Sequence, residues 1–169
     1  KGEADEMSPR QRILLQLLCH AIEDAGYPVE DLNGTETSLY VAGTADYTYL
    51  SKINNEDSAT AISGNLAALE AGRLAHTLGL TGPAMMVDTS CSSALIAIYQ
   101  AARDIWTGAA KVSIAAGLKL HIDPPILSDK EAEILSADAR SKTFDAAADG
   151  TGVGEGGGVL ILKELSQAQ

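Results

Sequence analysis

The sequence predicts a layered α/β fold, and two features of the chain carry that prediction. Short apolar runs typical of buried strands alternate with longer stretches whose apolar residues recur at helical spacing. The composition is 46% hydrophobic but only 4% aromatic, which favours helices packed closely on a sheet through small residues. A chain of 169 residues is long enough to bury one good core, so we expect one domain.

The first helix is predicted with both of its ends. Ser8 is the expected N-cap and Pro9 lies in the first turn, after which apolar residues repeat at helical spacing as far as Ala25, and Gly26 is a stop signal. The later elements predicted are strands at 38–41, 84–87, 111–116 and 159–162, a mostly helical stretch at 62–80, a helix from near 91 to 107 and a short helix at 129–135.

Several of these elements carry further expectations. The helix after Cys91 is apolar nearly all round, which predicts a buried central helix. Gly64, Gly72 and Gly79 interrupt the stretch at 62–80, and such glycines usually mark the close approach of another backbone. Gly117 is expected to close the strand that begins near residue 111.

The composition also argues against several classes of partner. The net charge of −11 disfavours nucleic acid and anionic membrane surfaces. No apolar run approaches the roughly 20 residues of a membrane helix, and the polar, acidic N-terminus is unlike a signal peptide. Two distant cysteines make no disulfide framework, so we expect a reducing cytoplasm.

Cys91 lies where a short apolar strand meets a long helix. A thiol at the positive end of a helix dipole ionises easily, and the neighbouring backbone N–H groups can stabilise an oxyanion. Four small hydroxyl residues surround it (Thr89, Ser90, Ser92 and Ser93) and leave room for a substrate thioester. From the residues alone, Cys91 is either a catalytic nucleophile or a small buried apolar residue, which is the commonest role of a lone cysteine.

Other chemistry-bearing residues have structural interpretations. Gly152, Gly154 and Gly157 satisfy G-x-G-x-x-G, but they precede a strand rather than open a helix, so a tight turn is predicted instead of a nucleotide site. Glu155 is expected to bind backbone amides. The three histidines (His20, His76 and His121) have no ligand spacing for a metal, and Cys19 and His20 are predicted to be packing residues.

Five stretches of the sequence, in order, resemble one family. The segment D-T-S-C-S-S-A-L around Cys91 is similar to the active-site motif D-T-A-C-S-S-S-L of β-ketoacyl synthase (ketosynthase) domains in modular type I polyketide synthases. The other four stretches are E-A-D-E-M-S-P-R-Q-R at 3–12, Gly64-Asn65 with Ala71-Gly72-Arg73, the pattern from Leu135 to Gly150, and Gly154-Glu155-Gly156 followed by 158–163.

This resemblance implies a thiolase-like fold, layered α-β-α-β-α, of which residues 1–169 cover most of the N-terminal half. It implies one ketosynthase domain that is incomplete at both ends of this chain, with its C-terminal half absent, and a homodimer. Cys91 would take an acyl chain from the phosphopantetheine thioester of an acyl carrier protein, with no cofactor bound directly. A malonyl-type extender on another carrier protein would then be decarboxylated for a Claisen condensation.

The family assists that decarboxylation with two histidines, in motifs of the type H-G-T-G-T and N-x-G-H. Neither motif occurs in this sequence, and His20, His76 and His121 match neither. We therefore expect the chain to accept an acyl group at most. The alternatives are a non-condensing scaffold or acyl-transfer-only piece, and a condensing enzyme of the fatty-acid synthase or thiolase type.

Overall fold

Helices and strands alternate along the chain, as the sequence predicts. The computed structural model describes residues 2–53, 57–122 and 134–168. The helices are α1 (Gly2–Glu6), α2 (Pro9–Asp24), α3 (Ala59–Asn65), α4 (Ala67–Thr77), α5 (Ser93–Thr107) and α6 (Leu165–Ala168), and the strands are β1 (Ser38–Ala42), β2 (Ala84–Val87), β3 (Val112–Lys119) and β4 (Gly156–Lys163). The chain divides into two compact units, residues 1–118 with 157–169, and residues 119–156.

The four strands form one sheet in the order β2-β1-β3-β4. β1 pairs in parallel with β2 on one side and with β3 on the other, so that Ala42 lies opposite both Val87 and Gly117. All five residues of β1 are buried. A parallel strand that is buried throughout needs a helical layer on each face of its sheet.

Leu39 and Val41 of β1 face the first layer, which is built from α2 and α4. There they join a cluster with Leu14, Leu18 and Ile22 of α2, Ala71, Leu74 and Ala75 of α4, and Ile114 and Ala116 of β3. These residues supply the main core because the apolar stripes of both helices meet the same face of the sheet.

The second layer is α5, and it faces the alternate residues of β1. Tyr40 and Ala42 pack with Ala97 and Ala101 of α5 and with Ala115 of β3. Because the inner face of α5 carries alanines, the helix backbone lies close to the sheet. The expectation of small-residue packing is confirmed on this face.

A buried hydrogen bond connects β1 to α5. The Tyr40 hydroxyl donates to Asp104 Oδ2 at 2.6 Å, and both side chains are buried. The Asp104 carbonyl also accepts the backbone N–H groups of Ala109 and Ala110 just after the helix. Burial, followed by the bond to Asp104, raises the pKa of Tyr40 to about 12.

Residues 119–156 are organised by a small polar cluster of their own. Lys142 Nζ lies 2.7 Å from Asp149 Oδ1 and 3.3 Å from Asp138 Oδ1, and the buried Ser136 hydroxyl contacts both carboxylates. The hydrogen bond from Lys142, with that from Ser136, lowers the pKa of Asp149 to about 2. This cluster closes the loop predicted between residue 136 and the last strand.

The ends of several elements agree with the sequence. Ser8 caps α2 by accepting the N–H of Arg10, β2 begins and ends as predicted, and Gly108 ends α5 with a φ of 71°. Gly64 approaches another backbone, as expected, because a Cβ there would lie 3.1 Å from Met7 Cα. The helix predicted at 129–135 lies almost wholly outside the described residues.

The stretch at 62–80 is mostly helical, as predicted, and forms two helices that meet at Leu66. Other expectations were wrong. Gly72 does not approach another backbone, because it has open space around it. β3 runs through Gly117 to Lys119, because a strand glycine with ordinary φ does not interrupt the ladder. β2 is a half-buried strand at the end of the strand order, with Met85 46% exposed, rather than a buried one.

The helix α5 is not buried all round. Its inner face is buried, but Leu95, Tyr99 and Trp106 are 71%, 53% and 73% exposed, and the Tyr99 and Trp106 rings contact edge to face. A sequence that is apolar on every side of a helix cannot distinguish a covered face from one that the described residues leave exposed. We call Leu95, Tyr99 and Trp106 the outer face of α5.

The substitution Tyr40→Phe tests the buried bond between β1 and α5. We expect it to lower the free energy of unfolding by about 1–3 kcal/mol, because the buried Asp104 carboxylate loses its donor. Urea unfolding measures the change, and Tyr47→Phe, at a half-exposed tyrosine, is the control with an effect below about 0.5 kcal/mol. Because folding raises the Tyr40 pKa, wild-type stability from this group falls as the pH rises from 10 towards 12, so the deficit of Tyr40→Phe should shrink there. A deficit that stays constant across that range would contradict this account.

Candidate active site

The corner that holds Cys91 is a connection of five residues between β2 and α5. β2 ends at Val87 and α5 begins at Ser93. The end of β2 is fixed against the neighbouring strand, because the Gly43 N–H donates to the Val87 carbonyl at 3.1 Å. Parallel pairing with β1 thus sets the point from which residues 88–92 leave the sheet.

The connection is held together from inside by Ser93. Its buried hydroxyl accepts the Thr89 N–H at 2.9 Å and donates to the Ser90 carbonyl at 2.7 Å. Asp88 Oδ1 accepts the Ser90 N–H at 3.1 Å. Ser90 has a φ of 57°, in the left-handed region that few residues other than glycine, asparagine and aspartate adopt readily.

The first turn of α5 has no side-chain cap. Ser92 occupies the N-cap position, but its hydroxyl donates back to the Thr89 carbonyl at 2.9 Å and also lies 2.9 Å from the Thr89 hydroxyl. An uncapped helix start presents backbone N–H groups and the positive end of the dipole. Negative charge at the adjacent residue is therefore favoured.

The Cys91 side chain is exposed at this helix start. Its sulfur lies 3.8 Å from the Ser90 hydroxyl oxygen, within the range of a hydrogen bond to sulfur. Exposure allows a large thioester to reach the sulfur. Of the two interpretations that the sequence left open, the buried apolar residue is wrong, and the corner remains a candidate nucleophile site.

Arg10 strengthens the same end of the sheet from the other layer. Its Nη2 donates to the Ala42 carbonyl at 2.8 Å, and its Nη1 lies 3.2 Å from Glu70 Oε2 on α4. The Arg10 guanidinium also fills the space beside Gly43, where a Cβ would collide with it. Burial raises the pKa of Glu70, and the Arg10 charge opposes that rise. This pair could not be predicted from the sequence, because a contact between residues 60 positions apart leaves no local pattern.

Comparison with known proteins shows the family of the chain. Residues 1–168 match the family described as β-ketoacyl synthase, N-terminal domain. The chain belongs to the β-ketoacyl synthase family. It is 40% identical over 171 aligned residues to a phenolphthiocerol/phthiocerol polyketide synthase protein of Mycobacterium tuberculosis, and the match covers 98% of this chain and 8% of that protein.

Solved ketosynthases share the fold. The ketosynthase from module 6 of the bacillaene synthase of Bacillus subtilis is 33% identical, with a TM-score of 0.82, over 99% of this chain and 29% of that chain. Ketosynthase twelve of the bacillaene polyketide synthase of Bacillus amyloliquefaciens is 32% identical, with a TM-score of 0.84, over 99% and 30%. The resemblance to polyketide synthase ketosynthases is confirmed, and so is the thiolase-like α/β fold class. The chain spans less than a third of these solved chains.

Cys19, the other cysteine of this ketosynthase sequence, differs from Cys91 in its burial. Cys19 lies on α2, half-buried, where it packs against the main core. Burial raises the pKa of the Cys19 thiol, and Glu23 and Glu30 raise it further. Cys19 is a packing residue, as predicted, and it is the natural internal control for Cys91.

The other residues singled out from the sequence are the histidines, the G-x-G-x-x-G glycines and Glu155. His20 and His76 are exposed on α2 and α4, the layer on the opposite face of the sheet from α5, so the prediction that His20 packs in the core was wrong. Gly152 and Gly154 precede β4, as predicted, but Gly157 lies inside it, and residues 152–155 do not form the predicted tight turn. The Glu155 carboxylate accepts the His121 backbone N–H at 2.6 Å. A Cβ at Gly152 would lie 2.7 Å from the Ala139 carbonyl oxygen, whereas Gly154 has open space around it.

Two kinds of feature are absent from the described residues. No group of three or more His, Cys, Asp and Glu side chains in that part of the chain could hold a metal ion. None of its helices combines the length and the apolar character that crossing a membrane requires.

Iodoacetamide should label Cys91 about tenfold faster than Cys19 near neutral pH, because the Cys91 thiol is exposed, whereas Cys19 is half-buried and burial raises its pKa. Peptide mass spectrometry assigns the label to one thiol or the other. In Cys91→Ala the fast phase should disappear, and in Cys19→Ala it should remain. Equal and slow labelling of the two thiols would contradict the assignment of Cys91 as a nucleophile.

Proposed function

We propose that Cys91 is the acyl-accepting nucleophile of a polyketide synthase ketosynthase domain. The Cys91 thiolate attacks the carbonyl carbon of an acyl thioester on the phosphopantetheine arm of an acyl carrier protein. A new carbon–sulfur bond forms, the carrier's carbon–sulfur bond breaks, and the carrier thiol leaves. The observation that supports this proposal is the exposed sulfur at the uncapped start of α5.

The local electrostatics suit this step. The transition state places negative charge on the former carbonyl oxygen, and the backbone N–H groups at the start of α5 can stabilise such a charge. The positive end of the helix dipole favours the attacking thiolate in the same way. Because these groups are fixed by Ser93 and by the pairing of β2, they need little reorganisation during the reaction.

The complete reaction includes a second half. A malonyl-type extender on a carrier protein loses CO2, and its enolate carbon attacks the acyl–Cys91 carbonyl and releases the Cys91 thiolate. The family's two histidine motifs would assist this half, and this sequence contains neither of them. We therefore assign acyl acceptance to this chain and condensation to the complete ketosynthase domain, of which residues 1–169 are one part.

The partners proposed follow from this division. They are acyl carrier proteins, the remainder of the ketosynthase domain and a second copy in a homodimer, with no cofactor bound directly by this chain. The free thiol must stay reduced to act, which favours the cytoplasm. The outer face of α5 supports the proposal of a further layer, because exposed large apolar side chains in contact with one another mark an interaction surface.

A second candidate is transfer of acyl groups without condensation. The exposed Cys91 sulfur favours it, because acyl transfer needs only a nucleophile that a thioester can reach. The two functions share the Cys91 acylation step, and only condensation goes on to release CO2 from a malonyl thioester and form a carbon–carbon bond.

Acylation is tested directly with the 169-residue chain and an acyl thioester of a pantetheine-like thiol. Intact-mass spectrometry should show one acyl group on the wild type and on Cys19→Ser, and none on Cys91→Ser, since a serine hydroxyl is not ionised at neutral pH. Hydroxylamine should remove the group, as it does from thioesters. Acylation that persists in Cys91→Ser would place the site elsewhere.

The outer face of α5 predicts self-association of the isolated chain. We expect Leu95→Gln with Trp106→Gln to reduce association in sedimentation velocity, because the two most exposed apolar side chains of that face are removed. The control is Leu165→Gln, at a residue that is 72% exposed and lies on α6 rather than α5, and it should leave association unchanged. A monodisperse wild-type monomer would count against a missing layer.

A further inference from the structure

The four hydroxyl residues around Cys91 do not have the same role. The Ser93 and Ser92 hydroxyls bond to Thr89 and Ser90 inside the connection, and the Thr89 hydroxyl lies against Ser92. Of the four, only the Ser90 hydroxyl contacts the sulfur, at 3.8 Å. The connection is thus held by three of the hydroxyls, and the fourth remains for the reacting atom.

From this arrangement we propose that Ser90 is a further catalytic residue, which donates a hydrogen bond to the Cys91 thiolate and increases the thiolate fraction at neutral pH. The inference rests on the proposed function of Cys91. In the thiol form, either atom can be the donor. Once the thiol loses its proton, the sulfur can only accept, so the hydroxyl becomes the donor, and hydrogen bonds to charged acceptors are the stronger kind.

The backbone places this hydroxyl where it is needed. Ser90 holds a φ of 57°, and three hydrogen bonds fix its peptide groups. Its N–H donates to Asp88, and its carbonyl accepts both the hydroxyl and the backbone N–H of Ser93. A conformation that costs energy for a non-glycine residue persists only when its surroundings determine it. Here those surroundings bring the side chain of residue 90 beside the side chain of residue 91.

An alanine can hold the backbone conformation of Ser90. Ala139 of this chain has a φ of 56°, so Ser90→Ala is a change that the corner should accept. The contribution of the hydroxyl can therefore be removed without rebuilding the connection.

The test is the pH dependence of Cys91 alkylation in the 169-residue chain, followed by peptide mass spectrometry. We expect Ser90→Ala to raise the pH of half-maximal labelling by about half a unit, which is about a threefold loss of rate near neutral pH. The limiting rate at high pH should stay equal or rise slightly, since a less stabilised thiolate is a better nucleophile. Ser166→Ala, which removes an exposed hydroxyl on α6, should leave the pH midpoint unchanged.

Ser90→Gly distinguishes the loss of the hydroxyl donor from an effect of backbone strain. Glycine adopts a φ of 57° without strain but has no hydroxyl, so it should give the same upward shift as alanine. If the pH midpoint of labelling is unchanged in both variants and Cys91 still labels faster than Cys19, the role of Ser90 is overturned and the proposed function of Cys91 stands. Slow labelling of Cys91 in the wild type would overturn the proposed function and this inference with it. A lower rate at every pH with no shift of midpoint would show a merely structural role and would also overturn the inference.

Discussion

The structure depends on the burial of β1 from both sides. A strand whose five residues are all buried must present alternate side chains to two different layers. Leu39 and Val41 need the large apolar faces of α2 and α4, whereas Tyr40 and Ala42 need a helix that can come close. The same strand fixes the ends of its two parallel neighbours, and one of these leads directly to Cys91.

The candidate site is a consequence of that constraint. Because β2 must end in register with β1, and α5 must return over the sheet, the connection between them is short and sharply bent. Ser93 is the residue that allows the bend, since its hydroxyl serves a donor and an acceptor of the backbone at once. Arg10 acts from the other layer on the carbonyl of Ala42, so both faces of the sheet contribute to the position of the corner.

Local patterns in the sequence were enough to locate the four strands, though not the ends of β3 and β4, and they also gave the ends of α2 and the class of the fold. Ser8, Gly26 and Gly108 act through neighbours in the chain, and their effects can be recognised without a structure. Resemblance supplied what local patterns could not, namely the family and the role that we propose for Cys91. Contacts between distant residues were missed, as with Arg10 and Glu70, because no spacing records them. The particular part of each hydroxyl near Cys91 was also missed, because composition shows that hydroxyls are present and only geometry shows where each one bonds.

The outer face of α5 has an optical consequence. Trp106 is the only tryptophan of the chain, and it is 73% exposed on that face, in contact with Tyr99. Tryptophan emission moves to shorter wavelength when water leaves the indole ring. The tryptophan fluorescence of the chain therefore reports on a single known position. A molecule that covers the outer face of α5 should shift the emission maximum to shorter wavelength, without an added label.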